Sequence, residues 1–178
     1  MVKGAVVLRL ASASDAGVLA EFCARTFDDT YREFNTDADM AVYVQSAFNA
    51  ERIGAELART DCSFLMACDD AGTLVGYVQV VVDSRLDCVR AERCAEIGRL
   101  YADRSHQGQG LGVQLLKGAL QHAAAAGCDT IWLAVWQQNT RARAFYAKWG
   151  FERVGTTTFQ LGESLQDDFV LQRSTTLD

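Results

Sequence analysis

Gln107-Gly108-Gln109-Gly110-Leu111-Gly112 is the stretch from which this chain is best understood, because three alternating glycines stand between a strand-like segment and a strongly helical one. Glycine adopts positive φ freely and leaves open space above the backbone, so consecutive N–H groups can converge on one anion. The stretch is therefore predicted to bind a phosphate or pyrophosphate through its main-chain amides. The alternative that the stretch alone leaves open is a tight turn that packs a helix closely and binds nothing.

The segment after the glycines carries apolar residues at helical spacing over residues 113–120. A helix that begins there directs its dipole and its unpaired N–H groups at the same place as the glycines. We expect this helix to end at Ala126, with Gly127 as its terminating residue.

The remaining chain reads as alternating helices and strands, with Gly98 indicating a β-bulge or a close approach of another chain or ligand. Thr36, Asn49 and Asn139 are predicted helix caps. The predicted elements are a strand at 6–10, a helix at about 15–26, a loop or irregular helix at 27–36, helices at 37–47 and 50–58, a hairpin with strands at 64–68 and 74–82, strands at 95–102 and 130–135, a helix at 140–149, and closing strands at 151–161 and 168–173 joined by 162–166.

Length and charge limit the kinds of function. A chain of 178 residues with 49% hydrophobic residues is long enough for one well-buried domain, so we expect a single domain over residues 1–178. The net charge of −6 argues against nucleic-acid binding, which needs clustered lysines and arginines. It favours cationic small molecules only weakly, because many proteins are acidic for solubility alone.

The cysteines show neither a CxxC pair nor histidines at metal-ligand spacing, so no metal site is expected. Because the sequence has no secretory signal, we expect reduced thiols in a cytoplasmic protein. No apolar stretch approaches the roughly 18 residues that a membrane-spanning helix needs, so no membrane partner is expected.

Two other glycine motifs are excluded by their spacing. A P-loop needs Gly-Lys-Ser/Thr at the helix start, whereas this stretch ends in Gly112-Val113 and its nearest lysine is Lys117. A Rossmann site needs G-x-G-x-x-G near the start of a parallel sheet, whereas here the glycines run G-x-G-x-G after four predicted strands. Neither Walker-type nucleotide binding nor dinucleotide binding is expected.

The arrangement that remains is a strand, Gln107-x-x-Gly110-x-Gly112, a helix, an apolar strand, Asn139, and a helix carrying Phe145-Tyr146-Ala147-Lys148-Trp149-Gly150-Phe151. It resembles the GNAT superfamily of acetyl-CoA-dependent N-acetyltransferases over about residues 95–155. The resemblance implies an α/β, GNAT-like fold with a mixed, mostly antiparallel central sheet, flanked by helices and split near Leu100. It also implies acetyl-CoA as co-substrate.

The resemblance assigns coenzyme-binding roles to specific residues. Main-chain groups of one strand would bind the pantetheine arm, the amides of the glycine stretch would bind the pyrophosphate, and Val113 would begin the supporting helix. Asn139 would contact the pantetheine arm; it also suits a helix cap, and both roles can hold. The implied coenzyme-binding residues are Leu100, Tyr101, Ala102, Gln107, Gly108, Gln109, Gly110, Leu111, Gly112, Val113, Asn139 and Tyr146.

Tyr146 matches the tyrosine that protonates the departing coenzyme A thiolate. A phenol with a pKa of about 10 can donate to a thiolate with a pKa of about 8.5 within hydrogen-bond reach. A tyrosine of the core beside Phe145 is the alternative reading.

The acceptor amine must lose a proton before it attacks, because a primary amine with a pKa of about 10.4 is neutral in only about one molecule per thousand at pH 7. Many relatives place a glutamate on the strand before Asn139, but Ala134 stands there in this chain. Glu96 on the preceding strand is the substitute candidate for the base, acting directly or through water. A surface or ion-paired carboxylate is the alternative.

A narrower likeness, in residues 25–31, 35–36 and 131–136, is to PaiA-type polyamine acetyltransferases. Acidic residues in the segment that forms the acceptor wall of the family would attract a polycation, although a solvated helix face is the more ordinary explanation. These acids are Asp28, Asp29, Glu33, Asp37 and Asp39.

We therefore expect acetylation of a primary amine by direct attack, without a covalent acetyl-enzyme, with spermidine or spermine as the favoured acceptor. The alternatives are another amine, such as a protein N-terminus, an amino acid or an aminoglycoside, and a regulatory module that binds acyl-CoA without turnover. A homodimer is left open.

Overall fold

A seven-stranded sheet forms the centre of the molecule in the computed structural model, which describes residues 5–177. In chain order the strands are β1 (Val7–Leu10), β2 (Cys62–Cys68), β3 (Leu74–Val82), β4 (Cys94–Ala102), β5 (Thr130–Trp136), β6 (Glu152–Leu161) and β7 (Ser164–Ser174). Their spatial order is β1-β2-β3-β4-β5-β7-β6, and every neighbouring pair except β4 and β5 is antiparallel. The predicted mixed, mostly antiparallel sheet is confirmed.

Five α-helices cover the two faces of the sheet: α1 (Ala16–Tyr31), α2 (Asp37–Ala47), α3 (Ala50–Leu57), α4 (Leu111–Ala125) and α5 (Thr140–Lys148). The first three pack on one face around Leu19, Ile53 and Tyr77, and the last two on the other face around Leu115 and Leu120. Because β3 lies between both layers, residues 74–80 are buried without interruption.

The parallel pair β4 and β5 is the feature that creates space in the sheet. These strands pair only from Cys94 to Glu96 on β4, so the separation begins after Glu96 rather than near Leu100. The register between β3 and β4 shifts beside Gly98, as the β-bulge prediction required. A Cβ on Gly98 would lie 2.5 Å from the Gln79 side-chain oxygen, so another residue here would require the Gln79 side chain to move.

The sequence prediction was wrong at the end of the first helix. Residues 27–31 form the regular end of α1, and a 3-10 turn, Arg32–Phe34, follows it. The reason is tertiary packing, since Phe27 stacks among the rings of Tyr31 and Tyr43 at centroid distances of 4.6 and 4.8 Å. Thr26 and Thr30 satisfy their hydroxyls on helix carbonyls, so threonine does not interrupt the helix.

The last strand also begins earlier than predicted. β7 starts at Ser164, and the turn between β6 and β7 consists of Gly162 and Glu163 instead of residues 162–166. Gly162 has a φ of 58°, which permits this tight connection. In the added part of β7, the Gln166 side-chain amide donates to the Asn35 side-chain oxygen in the segment between α1 and α2.

All six cysteines are free thiols in the described structure. Within residues 5–177, no helix has the length and apolar character to cross a membrane, and no group of three or more histidine, cysteine or acidic side chains could hold a metal ion.

Candidate active site

A cavity of about 770 Å³ opens where β4 and β5 separate. Its size lies within the range of about 300–1,000 Å³ found for small-molecule sites. The residues predicted to bind coenzyme that line it together are Leu100, Tyr101, Ala102, Gln107, Gly108, Gly110, Gly112, Val113, Asn139 and Tyr146. Two other predicted residues have their side chains elsewhere: Leu111 is buried in the core under α4, and the Gln109 amide donates to the Ser105 carbonyl.

The glycine stretch keeps the space above its backbone empty. Gly108 and Gly110 have φ values of 74° and 85°, and a Cβ on either would meet no protein atom within 4 Å. Gly110 is also the N-terminal cap residue of α4, so the helix begins at the cavity with its first N–H groups unpaired. The residues present therefore fit a pyrophosphate bound by amides and by the positive end of a helix.

Two arginines at the mouth of this cavity escaped the sequence prediction. Arg104 follows β4, and Arg141 lies in the first turn of α5, where its guanidinium donates to the Gln107 side-chain oxygen at 2.7 Å. Both supply positive charge beside the glycine stretch, which suits a phosphate. Their positions in the sequence could have indicated them, because Arg104 lies shortly before the glycine stretch and Arg141 shortly after Asn139.

Asn139 acts as the predicted cap of α5, because its Oδ1 accepts the Ala142 N–H at 3.1 Å. Its side chain also lines the cavity, so the cap and the ligand contact are compatible. Tyr146 lies about two helix turns after Asn139. It is 8% exposed, and its ring packs between Phe145 and Phe151.

The Tyr146 hydroxyl has no hydrogen-bond partner among the described residues, and it lines the larger cavity. Burial raises the pKa of this phenol, with the Tyr31 hydroxyl acting in the same direction. The side chain therefore stays protonated at neutral pH and can donate a proton to a group in the cavity.

A second cavity, of about 210 Å³, lies on the side of the sheet that α1 and α2 cover. Seven aromatic residues line it: Phe27, Tyr31, Tyr43, Phe48, Tyr101, Trp136 and Phe159. It shares lining residues with the larger cavity, among them Tyr31, Gly98 and Ala134. Ala134 is the exposed residue in the otherwise covered middle of β5, so the two cavities meet beside it.

Glu96, the predicted base, lines the smaller cavity. Its Oε2 accepts a hydrogen bond from the Ser84 hydroxyl at 2.6 Å, and its backbone lies where β4 still pairs with β5. The Glu96 carboxylate therefore lines the smaller cavity, but Ser84, in the loop after β3, already holds one of its oxygens. Its role as base stays a prediction.

Asp168 is a second carboxyl group in this cavity, and sequence reasoning missed it. It is 8% exposed, and burial raises its pKa to about 6, with the charge of Asp167 acting in the same direction. In the sequence it had appeared only as the first residue of a closing strand. The available signal was strand alternation, which places Asp168 on the same face as the fully buried Val170.

Arg99 lines the smaller cavity with these carboxyl groups, and its guanidinium is already paired. Its guanidinium meets the Glu56 carboxylate at 2.7 Å, with side-chain exposures of 16% and 8%, and Gln79 donates to the same carboxylate. The pair joins α3 to β4 under the smaller cavity.

The acidic segment of the sequence contributes less to the site than its composition suggested. Asp28 and Asp37 form ion pairs with Arg32, and Asp39 accepts the Glu163 N–H. Of the five predicted acids, Asp29 and Glu33 line the larger cavity. The ordinary reading of a solvated helix face therefore holds for most of this segment.

The chain is similar in sequence to known acetyltransferases. The sequence profile of the acetyltransferase (GNAT) family matches residues 21–151. A protein of Lactobacillus delbrueckii subsp. lactis, named an uncharacterized N-acetyltransferase, is 34% identical over 159 residues, which covers 88% of this chain and 91% of that protein. The spermine/spermidine N(1)-acetyltransferase of Bacillus subtilis is 30% identical over 89 residues, covering 49% of this chain and 59% of that protein.

The fold is similar to that of a PaiA N-acetyltransferase from Thermoplasma acidophilum, whose crystal structure contains coenzyme A. The TM-score is 0.76 at 22% identity, and the match covers 96% of this chain and 99% of that one. The family profile spans most of the chain, and the resemblance predicted from the sequence is confirmed. The chain belongs to the GNAT family and is an acetyl-CoA-dependent N-acetyltransferase.

Proposed function

We propose that this GNAT acetyltransferase transfers the acetyl group of acetyl-CoA to a primary amine of a small aliphatic cation, a polyamine such as spermidine or spermine. The observation that carries the proposal is the meeting of two different cavities beside Ala134. The larger is lined by backbone glycines, a helix start and arginines, together with Asp29 and Glu33, and the smaller by aromatic rings and the carboxyl groups of Glu96 and Asp168.

The larger cavity is the proposed coenzyme site. The amides of the glycine stretch and the start of α4 would hold the pyrophosphate, with Arg104 and Arg141 near its charges. Main-chain groups of Leu100, Tyr101 and Ala102 would bind the pantetheine arm, because β4 has no partner strand on its β5 side beyond Glu96. The acetyl group would then reach the space beside Ala134.

The smaller cavity is the proposed acceptor site. Aromatic faces attract ammonium groups, and buried carboxylates pair with them. Tyr31, Tyr43 and Trp136 supply faces of this kind, and Asp168 and Glu96 supply carboxyl groups. A linear alkyl cation satisfies both features, since its methylenes pack on rings while its nitrogens meet the acids.

Sequence similarity supports the same acceptor class. The Bacillus subtilis relative is named for spermine and spermidine, although the match covers 49% of this chain. The polyamine assignment therefore depends on the chemistry of the smaller cavity as well as on that relative.

Tyr146 is the proposed general acid. Its free, protonated hydroxyl lines the coenzyme cavity on α5, and the departing thiolate is the group that needs a proton. One carboxyl group of the acceptor cavity is the proposed base.

The test is a thiol-release assay with acetyl-CoA and a panel of amines: spermidine, spermine, an amino acid, an aminoglycoside and a peptide with a free N-terminus. We expect kcat/KM to be highest for spermidine or spermine. Reaction with peptides while both polyamines stay inert would overturn the acceptor assignment. Tight acetyl-CoA binding without turnover on any amine would instead indicate a regulatory module.

A further inference from the structure

We propose that Asp168 is the general base of the acetyl transfer, the carboxylate that removes a proton from the acceptor ammonium directly or through one water. The inference rests on the proposed function, because it assigns a role within that same site. It addresses the alanine at position 134, where no carboxyl group is available.

The strand register places Asp168 beside the meeting point of the cavities. Asp168 on β7 lies directly across from Trp136 on β5, and Ala134 is the next residue on that face of β5. Diagonal neighbours of this kind have Cα atoms about 7–8 Å apart. Because Asp168 lines the smaller cavity, its carboxylate faces the space next to Ala134 from the adjacent strand.

The Asp168 carboxylate lacks a protein partner. It is 8% exposed, yet no hydrogen bond or ion pair to it exists within residues 5–177. Its oxygens are open to the cavity rather than fully enclosed, and with so little solvent contact the ionised carboxylate gains no stabilisation from a protein partner among the described residues. A protonated amine that enters the cavity would supply the missing partner.

Glu96 differs from Asp168 in this respect. The Ser84 hydroxyl donates to its carboxylate at 2.6 Å, which fixes one oxygen against the loop after β3. The geometry therefore favours Asp168 over Glu96 as the group that accepts the proton.

The groups around Asp168 leave it basic at neutral pH. Those that line the cavity with it are Tyr31 from α1, Tyr43 from α2, and Glu96, Arg99 and Tyr101 from β4, while β5 and β6 contribute Ala134, Trp136, Phe159 and Leu161. Arg99 is compensated by Glu56, and Asp167 is the adjacent acid on β7. Burial, with the charge of Asp167, raises the pKa of Asp168 to about 6, so the group is ionised at pH 7 and ready to accept a proton.

The ammonium gives one proton to the Asp168 carboxylate, and its nitrogen lone pair forms a C–N bond with the thioester carbonyl carbon. The C–S bond then breaks with its electron pair on sulfur, and Tyr146 gives its hydroxyl proton to that sulfur. The second proton on nitrogen restores the Tyr146 hydroxyl through water, and Asp168 releases the first proton to solvent.

The experiment is the pH profile of kcat/KM for spermidine with acetyl-CoA, for wild type and Asp168→Asn. If Asp168 removes the proton, the wild-type profile is flat between about pH 7 and 9, because the enzyme uses the abundant ammonium form. Asp168→Asn depends on amine that is already neutral, so its rate rises about tenfold per pH unit and lies about 10²–10³-fold below wild type at pH 7.

Asp167→Asn is the matched control. Asp167 carries the same chemical group one residue earlier on β7, is exposed, and faces the other side of the sheet. Its variant is expected to keep the flat profile. Asp168→Glu retains a carboxylate displaced by one methylene and is expected to restore part of the rate at pH 7, and unchanged acetyl-CoA binding in all variants shows that they are folded.

Three results would overturn the inference. The first is a flat profile in Asp168→Asn, and the second is a rising profile in Glu96→Gln while Asp168→Asn stays flat. The third is a loss with spermidine that disappears with butylamine, since Asp168 would then only anchor a second ammonium group. Failure of the proposed function shows in the wild type itself, whereas failure of this inference shows only in the differences between variants.

Discussion

Tyr146 lines the proposed coenzyme cavity, and within residues 5–177 no protein group accepts a hydrogen bond from its hydroxyl. We expect Tyr146→Phe to lower kcat about 10²-fold while the acetyl-CoA dissociation constant stays within about twofold, because the hydroxyl acts on the departing sulfur and not on the bound coenzyme. Steady-state kinetics and calorimetric titration measure the two quantities. Tyr77→Phe is the control, since Tyr77 is fully buried outside both cavities and should keep kcat unchanged.

Asp168 also affects stability in a direction that follows from its raised pKa. Its folded pKa of about 6 lies above the value of about 3.9 for an unfolded aspartate, so the unfolded state releases its proton first and stability falls as the pH rises from about 4 to 6. Asp168→Asn removes this penalty. We expect the variant to be about 1–2 kcal/mol more stable than wild type at pH 7.5 and equal to it near pH 4.

Urea unfolding at the two pH values measures this difference. Asp167→Asn is exposed and should show no comparable gain at pH 7.5. Equal stability of Asp168→Asn and wild type at both pH values would mean that the aspartate has no elevated pKa.

The sequence correctly predicted residues whose structure depends on their own backbone or on a nearby helix end. Gly110, in the glycine turn, and Asn139, the cap of α5, are examples. Asp168 could not be found in the same way, because its position depends on the register between β5 and β7 and on the helices that cover it. The ion pairs of Asp28 and Asp37 with Arg32 were equally invisible, so composition alone overstated the acidity of the site.

At the scale of elements, the glycine stretch and the start of α4 meet at the larger cavity, where we propose that together they bind the coenzyme pyrophosphate. Gly110→Ala adds a Cβ at a φ of 85° and places it in the coenzyme cavity. We expect it to raise the dissociation constant of acetyl-CoA about tenfold and to cost about 1 kcal/mol of stability from the left-handed backbone.

Gly72→Ala separates the two effects. Gly72 has a φ of 79° in the turn between β2 and β3, and its Cβ would also meet open space, but Gly72 does not line the proposed coenzyme cavity. It should lose similar stability and bind acetyl-CoA as wild type does. Equal coenzyme affinity in Gly110→Ala and wild type would contradict the assignment of this loop.

Most helices and strands could be predicted because local chemistry determines them. Thr36 and Asn49 accept the N–H groups of Asp39 and Arg52, and α2 and α3 begin where these caps predict. The end of α1 could not be predicted, because its helical state depends on ring packing between Phe27 and residues of α2. The start of β7 likewise depends on pairing with β6 across the glycine turn.

At the scale of the whole molecule, the ion pair of Glu56 with Arg99 ties α3 to β4 beneath the acceptor cavity. Removal of one partner leaves a buried guanidinium without its carboxylate, so Glu56→Ala should cost about 3–5 kcal/mol of unfolding free energy. Thermal or urea unfolding measures it. Asp61→Ala breaks the exposed pair with Arg59 and should leave the unfolding midpoint nearly unchanged. Equal effects of the two variants would show that the buried pair stabilises the protein no more than the exposed pair does.

The divergence of β4 and β5 opens the proposed coenzyme cavity, which shares Tyr31 and Ala134 with the smaller, aromatic and acidic cavity. The most direct test of this account is mass spectrometry of a mixture of the protein, acetyl-CoA and spermidine. We expect spermidine to gain one acetyl group in an amount equal to the free coenzyme A released, with the protein unmodified. Release of coenzyme A without acetylated spermidine, or an acetyl group that remains on the protein, would contradict it.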